Sequence, residues 1–376
     1  MQVHGQSSVH EFLDDMIVYR NLVPLDRRLA PLAEIRSQVG TPEGSIPRKS
    51  ELPYARVIVH LLRQARELDL PGVSIERLVY VGDTRLNDGT AFANICRAGG
   101  WPGCAFIAAE RDEAAAVEIS QEEDRTLYLA NRWGALEDFD RFCRANGFPL
   151  DERTAAVVDL DKTALGARGR NDHVIDQARV EAVRRTVGNL LGDEFDAGSF
   201  QTAYNRLNQV EFHPFTTDNQ DYLAYACLVL GSGLYKLDDL VTGIQSGRLT
   251  GFGQFIAEVD GRSGELPANL GGIHDGVYQC VRQGDPTPFK AFRYNEYRVT
   301  VERMGHLADD TAMGDLLADE IVITQEVRAL ALEWRSRGVL LFGLSDKPDE
   351  ASIPSVDLAA HGYRPIHRTE THAVGG

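Results

Sequence analysis

Three short apolar runs punctuate the chain, at 77–83 (RLVYVGD), 155–161 (AAVVDLD) and 338–346 (GVLLFGLSD). Each follows polar or turn residues and ends abruptly in side chains capable of chemistry. Runs of this length without alternation predict strands buried on both faces, as in a parallel sheet covered by helices. A fourth strand is predicted at 104–109. Around them the period changes: residues 50–69 place apolar side chains at helical spacing, and 89–100 lead away from the first strand to a glycine stop. The stretch 110–150 links the fourth strand to the next with at least one helix, at 135–147. Strands alternating with helices predict an α/β fold with a doubly wound, mostly parallel sheet, whose ligands bind beyond the carboxyl ends of the strands. All three polar endings converge there.

The middle of the chain reads differently. Helical patterns at 180–191, 218–230 and 311–337, with a glycine-rich break at 261–272, predict a mostly helical domain inserted between two core strands. The expected organisation is therefore an N-terminal helical arm at 1–40, a discontinuous core at 41–168 and 335–376, and an inserted domain at 169–334. No internal repeat or low-complexity tract is visible.

Composition narrows the function classes. With 43% hydrophobic and 25% charged residues the chain is an ordinary folded protein, not a disordered or fibrous one. The balance of 39 basic against 56 acidic residues gives a net charge of −17, the wrong sign for non-specific attraction to nucleic acid or anionic membranes. Any anionic ligand must be held by a local site. No apolar stretch reaches the roughly 18 residues of a membrane helix, and the first residues lack a signal-peptide pattern, so a cytoplasmic location is expected. The five cysteines are scattered without zinc spacing and read as core residues. Only five of the 39 basic residues are lysines, so each lysine merits scrutiny as a compact ammonium that a guanidinium does not replace.

The sharpest chemical signal is Asp159-Leu-Asp161-Lys162-Thr163, directly after a buried strand. Carboxylates two residues apart at a strand end project towards one cavity and repel each other unless a cation or a shared proton compensates. The second is Gly82-Asp83, followed five residues later by Asp88: the glycine permits a tight turn, and both carboxylates suit a hard divalent cation. An Asp that merely caps a helix is the bland alternative. The third is Ser345 at the end of its strand, where a hydroxyl and exposed backbone N–H groups can hold a phosphate oxygen.

Together these residues resemble the haloacid dehalogenase (HAD) superfamily, most of whose members are magnesium-dependent phosphatases. The likeness lies in Asp-x-Asp-x-Thr at 159–163, Ser345, a lysine, and Gly-Asp-x4-Asp at 82–88, and covers about half the chain. The motif order departs from the family's, in which the acidic pair comes last. A circular permutation accounts for this, with Lys49 preceding the acidic pair, residues 364–375 forming the family's third strand at the new C-terminus, and residues 110–152 joining the old ends. A site shared across a homodimer is the rival explanation. The resemblance implies Mg2+ as cofactor, Asp159 as nucleophile and Asp161 as general acid and base. It implies metal ligation by Asp159, the Asp161 carbonyl, and Asp83 or Asp88. Ser345 and Lys49 would hold the transferring phosphoryl group, with Lys347 competing for the lysine role. Thr163 would support the loop beside the phosphate, and Lys162 would point away to a surface carboxylate.

The insert occupies the position of the helical cap in one branch of these phosphatases, so Tyr204, Arg206, His213, Arg293 and Arg298 are candidate substrate contacts, each with packing as the heavier alternative. The C-terminal histidines His361, His367 and His372 lack metal spacing, and no glycine-rich nucleotide motif occurs. The expectation is a phosphohydrolase acting on a small phosphorylated metabolite through an aspartyl phosphate. A phosphotransferase or mutase of the same fold and a non-catalytic binding module are the alternatives.

Overall fold

The computed structural model describes residues 1–217 and 219–376, so the first residue of the helix expected at 218–230 lies outside the described residues. The chain divides into two units, residues 1–177 with 300–353 and 359–376, and residues 178–299 with 354–358.

The first unit is built on a sheet whose strands are mostly parallel. Ten strands occur among the described residues: β1 (Gln2–Ser7), β2 (Ile17–Val18), β3 (Arg77–Gly82), β4 (Gly103–Ala108), β5 (Val117–Glu122), β6 (Arg125–Ala130), β7 (Thr154–Asp159), β8 (Ile323–Thr324), β9 (Leu340–Leu344) and β10 (Thr371–Gly375). Seven form the main sheet in the order β2-β9-β7-β3-β4-β6-β5, and β1-β10-β8 form a small second sheet. Every neighbouring pair in the main sheet is parallel except the edge pair β5 and β6. β7 is buried at every position, as are the last five residues of β3, which is why these segments read as unbroken apolar runs.

Helices cover both faces. On one, α1 (Leu52–Asp69) and α2 (Asn87–Gly99) set Tyr54, Ile58, Leu62, Phe92 and Ile95 against Leu78, Tyr80, Val157 and Phe342. On the other, Phe106 of β4 packs near the rings of Trp133 and Phe139, the latter from α3 (Leu136–Ala145). The buried Trp334 of α4 (Gln325–Ser336) donates its indole N–H to Asp140 of α3 at 2.8 Å. The α/β expectation with strands at all four predicted runs is met.

Four expectations change. Residues 1–40 do not form a separate arm: β1 and β2 join two sheets of the first unit, and Ile17–Val18 pair with Gly343–Leu344. The strand beyond β9 is therefore β2 rather than residues 364–375, whose strand β10 belongs to the small sheet. The link 110–150 holds the β5–β6 hairpin as well as the expected helix, because Val117, Ile119, Leu127 and Leu129 alternate with polar neighbours at the period of a strand. The helical run expected at 311–337 is broken by β8, where the β-branched residues Ile323 and Thr324 pair with β10 and Thr324 donates its N–H to the Ala164 carbonyl.

The second unit, 178–299 with 354–358, is narrower than the insert expected at 169–334. Among its described residues all named elements are helical. Phe252 and Phe255 pack edge-on to Phe215 and Tyr225 in its interior. Arg293 forms a buried ion pair with Asp221 at 2.5 Å and with Glu296 at 2.6 Å, Tyr204 donates to Gln220 at 3.1 Å, and Arg206 bonds Gln209 at 2.6 Å. These three candidate contacts are engaged by their own unit, Arg293 as part of its core. His213 is half-buried and Arg298 exposed.

The C-terminal segment is tied back to the N-terminal one. His367, 1% exposed, places Nε2 2.9 Å from Asp15, which also pairs with Arg368 at 2.6 Å. Burial pushes the His367 imidazole down to about 4 despite the Asp15 charge; Arg368 and His10, whose ring lies 6.0 Å away, add to the depression. The unfolded chain then binds a proton that the folded one refuses between about pH 6.5 and 4, so stability falls as pH drops through that window, by an amount on the order of 3 kcal/mol when complete. Denaturant unfolding at pH 6.5 and 4.5 measures it; an equal loss in His367→Phe would remove His367 as the cause.

Candidate functional site

The carboxyl ends of β3, β7 and β9 lie side by side, since Val81 pairs with Val158 and Asp159 with Leu344. Asp83, Asp159 and Ser345, at or just beyond these ends, are thereby drawn together, and all are buried. Carboxylate oxygens of Asp83, Asp88 and Asp159 lie within 4.8 Å of one another.

Lys49 compensates part of this charge. It sits in the segment just before α1, 5% exposed, and its Nζ donates to Asp159 Oδ1 at 2.5 Å and to Asp88 Oδ1 at 2.6 Å. Burial would strip its proton, but the two carboxylates reverse that and raise its pKa well above the ordinary lysine value. Of the two lysines weighed from sequence, Lys49 is the one bonded to Asp159. Lys347 donates its backbone N–H to Ser345 Oγ at 3.1 Å.

The two acidic residues of the 82–88 motif have different surroundings. Asp88 Oδ2 accepts the N–H groups of Asp83 and Thr84 at 3.0 and 2.9 Å and the Thr84 hydroxyl at 3.0 Å, while Oδ1 takes Lys49 and the Tyr80 hydroxyl. Burial raises the Asp88 carboxyl, but Lys49 and these donors outweigh it and hold it well below the usual range. Gly82 makes this fold-back feasible: a Cβ there would lie 2.6 Å from the Asp88 side chain. Asp83 has Arg168 on its Oδ2. Burial and the nearby Asp159 push Asp83 up to about 9, and burial pushes Asp159 up to about 7 against the pull of Lys49. Both shifts express the same physics, more negative charge than Lys49 and Arg168 neutralise.

The chain matches no protein-family model, no curated protein and no solved structure. What can be said of the site is therefore carried by its own residues.

The loop after β7 is held from several sides. Lys162 adopts a left-handed backbone, φ 67°, and its ammonium bonds both carboxylate oxygens of Asp176 at 2.8 Å, as expected of a lysine turned away from the cluster. The Lys162 carbonyl accepts the Arg168 N–H at 2.9 Å. Gly169 follows with φ 78°, where a Cβ would stand 2.0 Å from the Glu110 carbonyl. Thr163 is fully buried, and its hydroxyl favours the Asp159 carboxylate from nearby without reaching good hydrogen-bond geometry to any described group. Asp161 is half-buried and lines one cavity together with Ser345 and Lys347.

The sequence-predicted catalytic, phosphate-binding and metal-ligating residues thus all come from the first unit, and the acidic cluster with its lysine assembles without a second copy. Sequence reasoning missed Arg168 and Tyr80. One arginine among 34 carries no signal, and its position in a glycine-flanked loop after the Asp-x-Asp strand is the only hint. Tyr80 reads as a core strand residue.

Proposed function

We infer that the protein is a magnesium-dependent phosphohydrolase of the HAD type, with a permuted core, acting on a small phosphate ester. The observation that carries the reading is the buried cluster of Asp83, Asp88 and Asp159, within 4.8 Å of one another, at the carboxyl ends of parallel strands with Lys49 bonded to the Asp159 carboxylate. The strand order supports it with one change from the sequence expectation: β2, rather than residues 364–375, takes the place beside the Ser345 strand, so the permuted cut falls before that strand. The helical second unit would be the cap.

The residues fit a hard divalent cation. Three buried carboxylates offer oxygen ligands only, and their charge exceeds what Lys49 supplies. Asp88 is committed through both oxygens to Lys49, Tyr80 and the loop, so Asp83 and Asp159 are the residues that would hold the ion, with Asp88 shaping the loop around it. Bound magnesium would neutralise charge on the phosphoryl oxygens.

The chain's own groups do the rest. Lys49 orients Asp159 through Oδ1, leaving the second oxygen to attack phosphorus. As the P–O ester bond breaks, Asp161 gives its proton to the leaving oxygen; it then takes a proton from the water that cleaves the aspartyl phosphate. The Ser345 hydroxyl and Lys49 hold the equatorial oxygens, over which charge spreads in transfer.

The test is phosphate release from a panel of small phosphate esters. Release is expected to vanish in EDTA and return with Mg2+. Asp83→Asn is expected to raise the Mg2+ concentration for half-maximal rate by at least about tenfold. Release unaffected by EDTA would overturn the metal assignment.

A further inference from the structure

The first unit holds a cavity of about 20 Å3 lined by Asp161, Ser345 and Lys347 together with Tyr19, Thr300, His367 and aliphatic side chains. Two polar atoms of these lining residues, Thr300 Oγ1 and His367 Nδ1, are buried without a hydrogen-bond partner among the described residues, in side chains 5% and 1% exposed. Leaving such atoms unsatisfied is costly, so a group that completes them is expected in the space they border.

Its chemistry can be read from the two atoms. His367 Nε2 faces the Asp15 carboxylate at 2.9 Å, which places the ring proton on Nε2 and leaves Nδ1 as an acceptor. The missing group must therefore donate to His367. Thr300 can donate or accept, so a hydroxyl, which does both, matches the pair. Apart from Asp161 and Lys347 the walls are largely apolar, which favours a neutral group over an ion. The volume admits about one water-sized group, so a hydroxyl fits and an aromatic ring does not. Since Asp161 lines the same cavity, its contents lie on the side where a leaving oxygen would be protonated.

We propose that this cavity receives a hydroxyl of the leaving group, so that the substrate is a short hydroxyalkyl phosphate whose hydroxyl is read by His367 and Thr300. The assignment of the cavity to a leaving group rests on the phosphohydrolase reading. The unpaired atoms and the space beside them do not.

Glycerol 3-phosphate and n-propyl phosphate share a three-carbon leaving group and differ in hydroxyls, which makes them the probes. With full-length protein and Mg2+, kcat/KM is expected to favour glycerol 3-phosphate by about a hundredfold or more, because a site built to bond a hydroxyl rejects the analogue lacking it. Thr300→Val, nearly isosteric, and His367→Phe should each reduce that ratio by about tenfold, a change that a merely structural role would not produce. Titration calorimetry with the same two probes reads preference independently of turnover. Equal kcat/KM on the two esters, or a ratio unchanged in both variants, overturns the cavity assignment and leaves the hydrolase reading intact. No release from any ester, with glycerol 3-phosphate still bound more tightly than n-propyl phosphate, overturns the hydrolase reading and upholds the cavity as a hydroxyl site. Neither release nor preferential binding overturns both.

Discussion

Replacing Asp159 with asparagine is expected to lower phosphate release by at least about 10^4-fold while leaving the protein folded. The amide oxygen can still accept the Lys49 ammonium, which now stands 2.5 Å from Oδ1, so the packing around β7 has no reason to change. What disappears is the negatively charged oxygen that attacks phosphorus. The fold should not suffer, because burial already disfavours charge at this position and pushes the carboxyl up to about 7. The check is paired: initial rates at saturating Mg2+ and denaturant unfolding of the same preparation. A variant that retains a tenth of the wild-type rate would remove Asp159 as the nucleophile, and one that unfolds would show the residue to be chiefly structural.

Lys49→Met should, unlike Asp159→Asn, also carry a large cost in stability. The lysine is 6% exposed in its side chain and answers two carboxylates that are themselves 1% and 6% exposed. Methionine fills similar volume but leaves those charges facing one another, and breaking a buried pair by removing one partner costs about 3–5 kcal/mol. Two further measurements isolate the cause. Mg2+ should restore part of the loss by supplying positive charge to the same carboxylates. The double variant Lys49→Met with Asp159→Asn should be less destabilised than the sum of the two single changes, since one of the stranded charges is gone. A Lys49→Met protein as stable as wild type, unmoved by Mg2+, would mean that the cluster is neutral when folded.

The strands that carry the chemistry were legible because they are central. β7, and β3 beyond its first residue, are buried on both faces and so cannot alternate, and the abrupt change to Asp at the end of each marks where the sheet stops. Lys49 was found through its rarity and its order relative to the acidic pair. The peripheral elements were not legible. β2 has only two residues and β8 two, too short for any period to show, and their place is set by pairing with β9 and β10 from distant parts of the chain. The β5–β6 hairpin lies at the sheet edge, where polar residues are tolerated on both sides and the apolar signal weakens. Within the motif 82–88, spacing could not distinguish the two carboxylates. Their difference arises from the loop N–H groups and Lys49 on one and Arg168 on the other, contacts that depend on the fold.

The position of β9 between β2 and β7 bears on how the protein is made. Residues 17–18 have no place in the sheet until residues 340–344 exist to pair with them, and β7 likewise waits on one of its two edges. A chain emerging from the ribosome therefore holds an open edge on β7 while residues 160–339 are made. Ser345 arrives in the same stroke as the strand that closes the gap. The constellation proposed for phosphoryl chemistry is thus withheld until residue 345 has been made.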